Sequence, residues 1–66
     1  MEIVVNGAAR ELASGQTLAQ LVTDLALEGQ RIAIEVNAEI VPRSRYSKHP
    51  LQPGDRVEVV AAIGGG

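Results

Sequence analysis

Cysteine is absent from the 66-residue sequence, and so are phenylalanine and tryptophan. Without a thiol the chain can form no disulfide scaffold, thiolate zinc site, iron–sulfur centre or cysteine nucleophile. Tyr46 is the single aromatic residue, so the core has to come from eight Val, six Leu and five Ile side chains together with the alanines. Full burial of each larger side chain is worth about 1.5–3 kcal/mol. The resulting core is thin, because a domain of this size buries only about 60% of the surface its unfolded chain exposes. It leaves no room for an internal ligand cavity of ~300 Å³ or more, and an enzyme with a deep private pocket is not expected. An excess of charge of one sign is missing too. Six basic and eight acidic residues are interspersed and sum to −2, so neither nucleic acid nor an anionic membrane is expected as a partner. The longest apolar run, Val59 to Ile63, falls far short of the ~20 residues of a membrane span, and Met1-Glu2-Ile3 shows no basic start of a signal peptide. The expectation is one soluble, cytoplasmic domain.

Short β-rich stretches and one helical stripe are present. Met1 to Val5 alternates with Met1, Ile3 and Val5 on one face and stops at Asn6-Gly7, a dipeptide suited to the positive φ angles of a type I′ hairpin turn. A second strand is expected over Ala8 to Leu12. A two-residue loop would pair Val5 with Ala8 and place Arg10 on the face of Leu12, which demands either an Arg10 that snorkels at the sheet end or a bulge that shifts the register. Thr17 and Gln20 have capping-box spacing, and Leu18, Leu21, Val22 and Leu25 recur at helical intervals, so a helix begins at Leu18, with Gly29 expected as its left-handed C-cap. Arg31 to Asn37 alternates Ile32, Ile34 and Val36 against Ala33 and Glu35, a third strand. Ile40-Val41 is a short strand stopped by Pro42. Arg43 to Pro50 reads as polar and irregular with Tyr46 as its anchor. Pro53-Gly54-Asp55 is a turn before a last strand, Arg56 to Val60, that runs on into Ala61-Ala62-Ile63. One helix and four to five strands make an α+β layer pair, the helix stripe lying across a mixed sheet.

The ending Gly64-Gly65-Gly66 is the most informative feature. Glycines after a strong strand offer no side-chain contacts and maximal backbone freedom, so they add nothing to a fold. Extended, three residues reach ~10 Å, enough to thread a narrow channel and present a terminal carboxylate where a side chain would clash. Read from the glycines alone, an ordinary frayed end explains them equally well. The division expected is a domain over residues 1–63 and a flexible tail over 64–66.

Other candidates carry less. His49 stands between Lys48 and Pro50 with no nucleophile implied nearby and reads as a surface histidine. Glu35, Glu39, Asp55 and Glu58 have no metal-site spacing and read as solvated strand faces. Arg43, Arg45 and Lys48 around Tyr46 form a small basic patch that offers a partner contact, against the plainer reading of a solvated loop anchored by one buried aromatic. Val60, Ala61, Ala62 and Ile63 form an apolar approach to the tail that reads both as the buried end of the last strand and as an exposed docking edge, with alternate residues facing out.

Several short motifs then act together. Asn6-Gly7, Gly15-x-Thr17-Leu18, Val36-Asn37 followed by Ile40-Val41-Pro42-Arg43, Tyr46, Leu51, Gly54-Asp55 and the ending Ala61-Ala62-Ile63-Gly64-Gly65-Gly66 give a chain that resembles, over its whole length, the ubiquitin-like sulfur carriers and within them the ThiS family of thiamin biosynthesis. Gly65 and Gly66 map onto that family's obligatory pair. The resemblance implies a β-grasp fold with the first and last strands adjacent, and a carrier rather than an enzyme. It implies that a ubiquitin-activating-type enzyme adenylates the Gly66 carboxylate with ATP, that a sulfur donor enzyme converts it to a thiocarboxylate, and that thiazole synthase receives the sulfur. Gly64, Gly65 and Gly66 would enter partner active sites, Val60, Ala62, Ile63, Arg43 and Tyr46 would serve docking, and the chain itself, a monomer when free, would bind no cofactor or metal. The alternatives are the small subunit of molybdopterin synthase, which shares this chemistry, and a ubiquitin-like or TGS-type interaction module whose tail is incidental.

Overall fold

A computed structural model describes residues 1–61. In chain order its elements are β1 (Glu2–Val5), β2 (Ala8–Glu11), α1 (Leu18–Asp24), β3 (Ile32–Val36), β4 (Glu39–Val41), a 3₁₀ helix (Arg43–Lys48) and β5 (Arg56–Ala61). The five strands form one sheet in the order β2-β1-β5-β3-β4. Only the β1–β5 pair is parallel. This is the expected β-grasp layout, with first and last strands adjacent at the centre and α1 across one face.

The first hairpin keeps the simple register. Asn6 (φ 50°) and Gly7 (φ 83°) both take the left-handed region that a type I′ turn requires, and Val5 pairs with Ala8 while Ile3 faces Arg10. No bulge intervenes. Arg10 shares a sheet side with the fully buried Ile3, yet it lies on the edge strand, whose residues are all exposed.

With seven residues, α1 is too short to persist alone, since isolated helices of fewer than ~12–15 residues are marginal in water. Packing and caps hold it. Leu18 and Leu21 are fully buried and Val22 nearly so. At the N-terminus the Thr17 hydroxyl accepts from the Gln20 N–H at 3.3 Å, and the Thr17 N–H donates to Gln20 Oε1 at 2.8 Å. The helix start is also laced to the loop before β5: Leu18 N–H donates to the His49 carbonyl at 2.9 Å and Leu51 N–H to the Gln16 carbonyl at 2.8 Å.

The helix stops earlier than the glycine signal suggests, and its C-cap corrects the expectation. Ala26 N–H donates to Thr23 O and Leu27 N–H to Val22 O, each at 3.0 Å, while Ala26 sits at φ 58°. Those two bonds and that left-handed residue define a Schellman motif, with the partly buried Leu27 packed against the core cluster that contains Val22. Gly29, at φ 75°, turns the chain three residues later. Because an L residue in this conformation brings its Cβ close to the following carbonyl, Ala26→Gly is expected to stabilise the fold by about 0.5–1 kcal/mol. A thermal melt should register this as a rise of about 3–6 °C.

On β5 and β3 alternate side chains point toward α1. Ile34 and Val57 are essentially inaccessible, and Ile3, Leu18, Leu21, Val36, Val41, Tyr46 and Leu51 complete the core with Leu12 and Val22. The segment Arg43–Lys48, expected to be irregular, is a 3₁₀ helix that drops Tyr46 into this core.

A polar clasp closes the sheet end. Asp55, only 8% exposed, accepts from Asn37 Nδ2 at 3.0 Å and from the Gln52 N–H at 2.8 Å, and Arg56 N–H donates to Asn37 Oδ1 at 3.0 Å. Asp55 is therefore a structural residue rather than part of a solvated strand face. Its Oδ1 ties the β3–β4 turn to the start of β5, and its Oδ2 closes the turn that leads into β5.

Candidate functional site

One helix covers one side of the sheet. On the other side, β3 presents Ala33 and Glu35, and β5 presents Arg56, Glu58 and Val60, because side chains alternate along each strand. Register aligns them: Ala33 lies opposite Val60, Glu35 opposite Glu58, and Ile40 of β4 opposite Glu35. Ile40 is 70% and Val60 57% exposed, and among the described residues they are the large hydrophobic side chains left open to water.

The electrostatics of this face are unbalanced. Two carboxylates directly opposite each other on neighbouring strands repel and weaken the pairing, and no ion pair reaches Glu35 or Glu58 among the described residues. Arg56 is the one cation placed on the same side of β5, and it helps to line a shallow groove with Glu35, Ala38, Glu58 and Val60. A surface with two exposed apolar side chains flanking an uncompensated carboxylate pair suits a partner offering an apolar contact and a cation. It performs no chemistry itself. Val60 belongs to the central strand β5, so the face is continuous with the segment that leads to the glycines.

The residues expected to dock therefore do not form one surface. Val60 lies on the open sheet face. Tyr46, at 7% exposed, belongs to the core on the helix side and anchors the solvated residues around it. Arg43 is exposed on that side too, and its guanidinium donates to the Gln30 carbonyl at 2.7 Å, bracing the loop after α1. Ala62, Ile63, Gly64, Gly65 and Gly66 lie outside the described residues. His49 is half-buried, with its carbonyl engaged by Leu18.

Ile40 escaped the sequence reading. Its neighbour Pro42 marked a strand end, but nothing local told which way a three-residue strand faces. The β3–β4 register decides that, and it follows from the type I′ turn at Asn37 (φ 52°) and Ala38 (φ 70°), a turn without the usual glycine.

Comparison with known proteins points to thiamin biosynthesis. A profile described as the ThiS family matches residues 3–66. The sulfur carrier protein ThiS of Escherichia coli (strain K12) is 35% identical over 66 residues, covering all of both chains. A thiazole synthase of Paramagnetospirillum magneticum is 39% identical over 66 residues, which is all of this chain and 20% of that one. The crystal structure of the thiamine biosynthesis protein (ThiS) from Geobacter metallireducens matches the fold with a TM-score of 0.87 at 26% identity, with both chains fully covered.

Proposed function

The chain belongs to the ThiS family of sulfur carriers, and we propose that it carries its sulfur as a thiocarboxylate on Gly66. The observation that supports this most is the extent of the family match, which runs through the glycines to residue 66 and so includes the tail as well as the scaffold. A carboxylate is a poor acyl donor. Attack of the Gly66 carboxylate on the α-phosphorus of ATP, with loss of pyrophosphate, gives an acyl-adenylate whose AMP is a good leaving group. Attack of a sulfide equivalent on that carbonyl then releases AMP and leaves the acyl group bearing sulfur. The chain is a carrier, not a catalyst; ATP binding and both displacements belong to partners.

Three partners follow from this reading: a ubiquitin-activating-type adenylating enzyme, a sulfur donor enzyme, and thiazole synthase as recipient. The last has direct support, since a thiazole synthase contains a segment 39% identical to this whole chain within its own polypeptide. That covalent association also favours the thiamin branch over molybdopterin synthesis. The open sheet face around Val60 and Ile40 is the docking surface, with Gly64, Gly65 and Gly66 reaching ~10 Å into the partner's active site. The free carrier is a cytoplasmic monomer in this reading. No helix among the described residues is long and apolar enough to cross a membrane.

Intact-mass measurement tests the reading. After incubation with the adenylating enzyme, ATP and a sulfur donor, the chain should gain the mass difference between sulfur and oxygen, and fragmentation should place it on Gly66. Sulfur on an internal residue, or none at all, would overturn it.

A further inference from the structure

β1 and β5 run parallel, with Val4 beside Arg56 and Val5 beside Val57. Parallel strands exchange evenly spaced bonds. The Val4 N–H donates to the Asp55 carbonyl and, two residues on, the Asn6 N–H donates to the Val57 carbonyl, both at 2.9 Å. By that spacing the next bond would run back from the Val59 N–H to the main-chain carbonyl of residue 6. β1 has ended there, because Asn6, at φ 50°, turns the chain into the first hairpin. Its side chain supplies the acceptor instead, and Asn6 Oδ1 takes the Val59 N–H at 2.7 Å. The position thus needs a left-handed backbone together with a short side chain that carries a carbonyl oxygen, a combination that asparagine and aspartate offer.

Both neighbours of this part of the sheet give out close by. β4 pairs with β3 at Ile34, Glu35 and Val36, while Val60 and Ala61 of β5 lie opposite Ala33 and Ile32, beyond the reach of β4. Past Val59 the described sheet is therefore two strands wide, and two-stranded ribbons twist more strongly than wide sheets. Val60, the exposed apolar residue of the open face, is the first residue beyond the Asn6 bond. We propose that Asn6 is a positioning residue for that face: by holding β5 on the β1 side as far as Val59, its amide sets the direction in which Val60 is presented to a partner. The bond stands on the geometry alone. Its use rests on the reading of the open sheet face as the docking surface.

Hydrogen exchange followed by NMR on the full chain tests the bond with no partner present. Asn6→Gly keeps the left-handed conformation and removes the acceptor, so the fold should persist while the Val59 amide exchanges at least about fivefold faster, the loss of one net hydrogen bond. The Val4 and Asn37 amides, which donate to the Asp55 and Arg56 carbonyls, should keep their rates. Asn6→Asp restores an acceptor and should restore the Val59 rate. Titration with the adenylating enzyme, at a temperature where every variant is fully folded, tests the use. Asn6→Gly should weaken binding about three- to tenfold. In a Val60→Ala background it should weaken binding no further, because it acts through Val60.

A Val59 amide that Asn6→Gly leaves unchanged, or that Asn6→Asp fails to protect again, would overturn the bond's part in holding β5. A binding loss that adds in full to that of Val60→Ala would overturn the positioning role, since a general loosening of the fold does not depend on Val60. So would an affinity that Val60→Ala lowers and Asn6→Gly does not. The docking reading fails separately: it falls if Val60→Ala leaves affinity unchanged, whatever the Val59 amide does.

Discussion

Deletion of Gly65 and Gly66 is expected to reduce ATP–pyrophosphate exchange by the adenylating partner to background while shifting the melting temperature by less than about 4 °C. The variant still ends in a carboxylate, so the loss would not come from a missing functional group. It comes from reach: removing two extended residues withdraws that carboxylate by about 7 Å, whereas attack on phosphorus needs the reacting atoms within about 3–3.5 Å. Stability should hardly respond, because among the described residues every buried core side chain lies between Ile3 and Val57. Two companion variants separate length from width and from docking. Gly65→Val keeps the length but adds a stiff, branched side chain where a channel admits bare backbone, so exchange should fall while affinity measured by titration holds. Val60→Asp keeps the tail and places a third carboxylate beside Glu35 and Glu58, so affinity should fall. Exchange that survives the deletion would show that the glycines are not read as a tail, and would return the chain to the class of simple interaction modules.

Much of this molecule could be read from residue order, for physical reasons that differ from element to element. Asn6-Gly7 determined the first hairpin because its two residues tolerate positive φ, and the resulting register followed without a bulge. The capping box at Thr17 and Gln20 located the helix start because that pairing is local. The helix end was misplaced since glycine is only the preferred residue for a left-handed C-cap; here the packing of the partly buried Leu27 against the core rewards reversal at Ala26 despite its Cβ. The same substitution of alanine for glycine, at Ala38, hid the second type I′ turn and with it the outward aim of Ile40. Asp55 looked like surface because carboxylates usually are; the Gln52 N–H is a local donor, but the Asn37 amide reaches it only because β5 returns beside the Asn37 turn. The open sheet face is a property of topology: one helix for five strands makes it inevitable, but the opposition of Glu35 to Glu58 depends on a pairing between residues distant in sequence. The glycine ending, by contrast, stood out in the sequence because three residues without side chains offer a fold no contacts of their own.

Leu21→Ala is expected to leave the chain largely unfolded at 37 °C. Leu21 is 0% exposed and lies at the centre of the helix's buried face, and truncating a buried leucine costs about 2–5 kcal/mol through lost transfer energy and the cavity left behind. A single core of this size rarely supplies more than about 3–5 kcal/mol, so most of the stability goes with one side chain. Relief by collapse is limited, because α1 is capped at both ends and pinned to the loop before β5 by the Leu18 and Leu51 backbone bonds. Leu25 provides the internal comparison. It belongs to the same apolar stripe, but it is only partly buried at the rim of the groove that follows α1, where solvent or a neighbouring side chain can fill the space, so Leu25→Ala should cost about half as much or less. Urea titration followed by far-ultraviolet circular dichroism gives both midpoints. A Leu25→Ala loss equal to that of Leu21→Ala would mean that the open end of the layer is covered in solution.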